Sequence, residues 1–263
     1  MTAPASEFTG SRLKVQRAYR HIQELETIFR GFLQTEFCRL VVESDPQTGN
    51  QLIKVASLGS PPSEVSLVIG DIVHNLRCAL DHAMVAILGK RRNQVAFPIA
   101  KNRDNPGSHS TYGIIKEALP ELAILLVDQI GIHDTGDLCL WAISALDNLD
   151  KHNLLIAAVS VQELRGIGLH DKARNNRFTD LTVRLQEGGI ASLIQYGGGG
   201  LEITSKGQPA ATILFGKGQP LEGRPIIQSL LKLAELTSQT IQTLEFFWFG
   251  QKPEGAATPS ATQ

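Results

Sequence analysis

The chain has 263 residues, 42% of them hydrophobic, and a formal net charge of −1. That length and apolar content suffice for a substantial core, while so even a charge balance excludes any general attraction to nucleic acid or anionic lipid, so a polyanion has to be held by a local patch. Cys38, Cys78 and Cys139 are far apart with no CxxC, which reads as reduced thiols in a cytoplasmic protein and excludes a disulfide framework.

The opening "MTAPASEFTGSRLKVQR" carries no apolar run of signal-peptide length, and residues 1–10 read as a tail. A first helix is expected from Ser11, as its cap, to about Glu36, with Leu13, Ala18, Ile22, Leu25, Phe29 and Leu33 at helical spacing. "FCRLVVES" and "QLIKVASL" flank "DPQTGN" and predict a β-hairpin. A long helix follows over about Ser63–Leu88, then a loop containing "KRRN" (90–93) and Pro98, Pro106 and Gly107. Shorter helices are expected near Tyr112–Ala118, Pro120–Gln129 and Asp137–Lys151, the last capped by Asp134 or Thr135. "LLIAAVSV", "FTDLTVRLQE", "IASLIQY", "LEITS" and "ATILFG" are short β-prone runs that predict an antiparallel meander. "YGGGGLEI" (196–203) reads as a turn between such runs and not as a phosphate cradle, because it opens no helix. A final helix starts at Pro225 and runs to about Trp248, and residues 251–263 read as a second tail.

Strands in succession without intervening helices argue against a doubly wound α/β fold. The expectation is one α+β domain over 11–250: a helical bundle with an appended small antiparallel β-sheet and an N-terminal β-hairpin. It is helix-rich over 11–152, β-rich over 153–216, and closed by a C-terminal helix over 224–249. No run of 18 apolar residues exists, so no membrane partner is expected.

The chemistry concentrates in "GDIVHNLRCALDHAM" (70–84). From Val65 to Gly89 there is no Lys or Glu, and the only formal charges are Asp71, Arg77 and Asp81. At about 100° per residue, Asp71, His74, Asn75, Cys78, Asp81 and His82 share an arc of about 120°, with Arg77 just beyond its edge. Ile69, Ile72, Leu76, Leu80, Ala83 and Ile87 occupy the opposite side. Such a polar strip suits the wall of a cleft or a buried polar network. A second cluster, "LDNLDKHNLL" (146–155), crowds Asp147, Asn148, Asp150, Lys151 and His152 at the end of a helix, where Lys and His also suit the macrodipole. Facing the motif helix, this end would complete a site.

The pair "GDIVHNLRCALDH" and "LDNLDKH" resembles a motif pair, GDxxHNLRxALDH with LDNxDKH, of a bacterial protein family that carries no assigned activity. More broadly, Arg77, four residues and His82 resemble the R-x4-6-H motif of the HEPN superfamily, all-helical proteins that include metal-independent ribonucleases of toxin, defence and RNA-processing systems. The resemblance covers one helix. It implies a ribonuclease with Arg77 and His82 catalytic, His74, Asn75 and Asp81 orienting them, and Asp71, Asp147, Asp150, Lys151 and His152 in support. It also implies no cofactor, an RNA substrate, an antitoxin partner and a homodimer, because Arg77 and His82 lie about 140° apart on one helix and need a second copy to converge. Cys78 and the β-rich region depart from the HEPN pattern. "KRRN", Arg165, Lys172, Arg174 and Arg177 could add phosphate contacts.

Two rival readings stand beside it. His74, Cys78 and His82 at i, i+4 and i+8 could hold Zn, Mn or Fe with nearby Asp residues, as in a hydrolase or an oxygen-handling enzyme, although no HExxH, paired ExxH or CxxC is present. Alternatively the chain is a non-catalytic dimerising or binding module. Phe246, Phe247, Trp248 and Phe249 cannot all point inward from one helix, and some could cover a partner. No GxSxG, Walker loop or Cys/His dyad pattern stands out.

Overall fold

The structure is a computed structural model that describes residues 7–44, 51–89, 95–100, 110–133, 138–185, 190–191 and 200–251. The turn expected at 45–50, "KRRN", the cap at Asp134 or Thr135, and most of the Gly-rich run and of both tails lie outside the described residues.

The helices are α1 (Thr9–Leu33), α2 (Glu64–Leu88), α3 (Ser110–Ala118), α4 (Pro120–Ile124), α5 (Leu140–Asp150) and α6 (Ile226–Gln251). The strands are β1 (Cys38–Ser44), β2 (Gln51–Leu58), β3 (Ala157–Asp171), β4 (Asn176–Arg184), β5 (Ile190–Ala191) and β6 (Leu201–Phe215). The fold is the α+β arrangement expected: a helical bundle, small antiparallel sheets and the early hairpin β1–β2. Among the described residues no helix is long and apolar enough to cross a membrane.

α2 is the axle of the bundle. Ile69, Ile72, Leu76 and Leu80 are fully buried, each worth about 1.5–3 kcal/mol of transfer free energy. α1 packs along one flank of α2, α5 along another, and α6 closes over α1 and α2. α1 begins earlier than expected. Phe8 stands at its N-cap, fully buried and in ring contact with Phe249, and Ser11 is buried inside the helix without a cap bond. The apolar anchor at Phe8 thus outweighs the capping signal of Ser11. α4 runs on as a π-helical turn, Leu125–Ile130, which ends at Gly131 in the left-handed region.

The β-region is not a meander. β6 pairs with β3 rather than with β4, giving the order β4-β3-β6, while β5 joins the hairpin in the order β1-β2-β5. Two runs separated by "KGQPA" are one strand, β6, because Gly207 takes a φ of 69° there and the ladder resumes at Gln208 opposite Arg165. β3 likewise extends ten residues past Val161, to Asp171. The long β3–β6 pair bridges two cores: Ile213 and Phe215 pack on the bundle, whereas Leu164, Ile167 and Leu169 pack with Ile53 of the hairpin. At the chain end Phe247 and Trp248 pack against the core, and Phe246 is 83% exposed.

Candidate functional site

The polar strip of α2 divides between two neighbours. Taking His74 as zero, Arg77, Gly70, Asp81 and Cys78 fall within about 60° of it, while His82 and Asn75 fall about 80° and 100° to one side. Gly70, His74 and Cys78 face α5, Arg77 and Asp81 turn to the segment at Phe97, and His82 and Asn75 face α1.

On the α5 side the two helices meet step by step. An added Cβ at Gly70 would come within 2.6 Å of the Asp150 carboxyl carbon, so the missing side chain is what admits Asp150. One turn on, His74 Nδ1 is 3.1 Å from Asp147 Oδ1. A further turn on, Cys78 and Ser144 share the wall of one cleft. Lys151 reaches back along α5 to Asp147 Oδ2 at 2.6 Å. Asp147 is 3% exposed and carries both contacts. A buried carboxylate on Nδ1 fixes that nitrogen as the N–H donor and leaves Nε2 as the lone-pair nitrogen. Nε2 lies 3.4 Å from Cys78 Sγ. His74, Cys78, Asp147 and Lys151, with Arg77 and Asp81, line a cleft of about 440 Å³ between α2, α5 and the segment at Ile99. The alignment of Asp147, His74 and Cys78 is a Cys/His arrangement that the sequence reading did not recognise.

Arg77 is half clamp and half cleft wall. Its Nη2 donates to the Phe97 carbonyl at 2.9 Å and meets Asp81 Oδ1 at 3.2 Å. Asp81 Oδ1 in turn accepts from the Phe97 amide at 2.7 Å. The pair thereby pins the segment 95–100 to α2. The other guanidinium nitrogen, Nη1, is buried with no hydrogen-bond partner.

On the α1 side, His82 is exposed and its imidazole lies over Gly10, where an added Cβ would stand 2.6 Å from Nδ1. Asn75 accepts from Lys14 Nζ at 3.3 Å and donates to the Asp71 carbonyl at 2.7 Å, which ties α1 to α2. Within one chain, therefore, Arg77 and His82 do not share a pocket, and His82 does not join His74 and Cys78. Among the described residues no group of three or more His, Cys, Asp or Glu side chains is arranged to hold a metal. His152 is exposed and does not line the cleft. Arg165, Lys172 and Arg174 sit on the β3–β4 hairpin and are paired with Glu163, Glu202 and Asp171. Arg177 lies on β4, opposite His170. Lys14 is the neighbour that the sequence reading missed; it carries no signal beyond a polar position on an amphipathic helix.

Asp150 has its carboxyl pKa raised, first by burial, then by Asp147 and Asp71, with His74 opposing. A carboxyl whose folded pKa lies above its unfolded value contributes stability while protonated and loses it as pH rises through the folded value. Its charge at neutral pH is therefore unfavourable. Asp150→Asn is expected to raise Tm at neutral pH, with the gain shrinking to nothing near about pH 3, below the unfolded carboxyl range. Melting curves at the two pH values check this; an unchanged or lowered Tm at neutral pH contradicts it.

No family model, no curated protein and no solved structure matches this chain. The site is therefore read from its own geometry.

Proposed function

We propose that the α2–α5 cleft is a metal-independent phosphodiester-cleaving site that takes RNA as substrate. The observation that carries this reading is His74, held through Nδ1 by the buried Asp147 with its lone-pair Nε2 on the cleft wall. Metal-free RNA cleavage needs a group that moves a proton near neutrality and a cation for the charge that builds on phosphorus. His74 Nε2 takes the 2′-hydroxyl proton as that oxygen attacks phosphorus, and the leaving 5′-oxygen regains a proton from the imidazolium or from water. Lys151 and Arg77, both on the wall of the cleft, supply the positive charge.

This keeps the chain in the ribonuclease class that the R-x4-H resemblance implies, but moves the proton-carrying role from His82 to His74. It also places all the chemistry in one copy. Within that class the chain acts in the cytoplasm without a cofactor, with a homodimer as its assembly and an antitoxin as its partner.

The test is a panel of single-stranded RNA oligonucleotides in excess EDTA, with DNA of the same sequences. RNA is expected to be cut to 2′,3′-cyclic phosphate ends and DNA to be left whole, because DNA lacks the attacking hydroxyl. The reading fails if RNA survives, if cleavage requires added metal, or if DNA is cut equally.

A further inference from the structure

Phosphodiester cleavage has no use for the Cys78 thiol, yet this thiol stands against the imidazole that the cleavage reading takes as its base. Its Sγ lies 3.4 Å from His74 Nε2, and Nδ1 of the same ring lies 3.1 Å from Asp147 Oδ1. With the tautomer fixed by Asp147, Nε2 accepts the S–H proton. Burial pushes the thiol up, as do the Asp81 and Asp147 charges, against Lys14 and Arg77. The thiol therefore rests protonated, and it needs a base at the moment of attack, as hydroxyl nucleophiles do. His74 is that base. Arg77 and Lys151 on the same wall favour an electrophile that carries negative charge.

We propose that Cys78 is a nucleophile, with His74 as its base and Asp147 as the residue that orients the base, and that it attacks a small carbon electrophile bearing a carboxylate or phosphate. The bond from Sγ to carbon forms as the bond from that carbon to its leaving group breaks. The thiol proton passes to Nε2 and from there to the leaving group or to solvent. The product is a thioester or thioether on Cys78, and the step needs no oxidant. This inference rests on His74 being the base of the cleft, and not on RNA being its substrate.

Cys38 supplies an internal control, since it is half-buried and its thiol is likewise pushed up by burial. The whole protein is treated at neutral pH with iodoacetate or with the uncharged iodoacetamide, and the rates at Cys78 and Cys38 are read by peptide mass spectrometry. Iodoacetate is expected to modify Cys78 at least about 10-fold faster than Cys38. The ratio of iodoacetate to iodoacetamide rates is expected to be higher at Cys78. His74→Gln should bring the Cys78 rate down to that of Cys38. The proposal is overturned if Cys78 in the unaltered protein reacts no faster than Cys38, a comparison that needs no variant to fold. It is equally overturned if His74→Gln leaves the Cys78 rate unchanged. The assay contains no RNA, so its outcome stands apart from the cleavage result.

Discussion

His74→Ala is expected to lower RNA cleavage by about 10²–10⁴-fold, the range for losing a positioned general base. The protein should fold normally, because the His74 side chain is 56% exposed and its removal opens no core cavity. His82→Ala should leave the rate essentially unchanged, since that imidazole lies over Gly10 on the α1 flank of α2. Asp147→Asn should fall between the two. The amide still fills the space, but it no longer stabilises an imidazolium and releases its hold on the tautomer. Initial rates on one RNA oligonucleotide in EDTA, with a melting curve for each variant, make the comparison. The reverse pattern, with cleavage lost in His82→Ala and retained in His74→Ala, would return catalysis to the Arg77–His82 pair and require two copies per site.

The second large effect is on stability. Arg77→Ala is expected to cost about 3 kcal/mol. The change removes the donor to the Phe97 carbonyl and the cation beside Asp81, leaving both acceptors short of a partner. The upper end of the range for broken buried pairs is not reached, because Asp81 keeps the Phe97 amide and its side chain is 31% exposed. Urea unfolding at fixed pH reads this as a lower midpoint with an unchanged slope. A midpoint equal to that of the unaltered protein would show that the clamp carries no net stability. Lost cleavage in Arg77→Ala is therefore ambiguous by itself. Lys151→Ala separates charge from folding, since that side chain is 52% exposed.

The parts of the fold that were legible in the sequence are those where periodicity and punctuation agree. The apolar side of α2, with Ile69, Ile72, Leu76 and Leu80, lies in the core as its spacing required. β1 and β2 form the expected hairpin, and the Asp147–Lys151 end of α5 does face the motif helix. Long-range pairing was not legible. "KGQPA" looks like a break, but a single left-handed Gly207 carries β6 through it. No local pattern says that β6 should leave β4 aside and pair with β3.

Within the site, the residue types were legible and their division was not. An arc of about 120° is wider than the strip one neighbouring helix covers. It was read as one face, so His74 and His82 were grouped although about 80° separates them. The overlooked signal was glycine. Inside a helix Gly costs about 1 kcal/mol relative to Ala, and Gly70 and Gly10 mark where Asp150 and His82 come to rest against a neighbouring helix. Cys78 was weighed as a metal ligand, and the structure sets its Sγ 3.4 Å from His74 Nε2.

Imidazole ¹⁵N NMR of His74, with and without a 3′-phosphorylated nucleotide, tests most directly that this ring is the working group of the cleft. Assigned by comparison with His74→Gln, the ring should be protonated on Nδ1 at neutral pH, and its Nε2 resonance should move on adding the nucleotide while His82 stays put. An Nε2-protonated ring, or a nucleotide that shifts His82 and leaves His74 unmoved, would contradict the account.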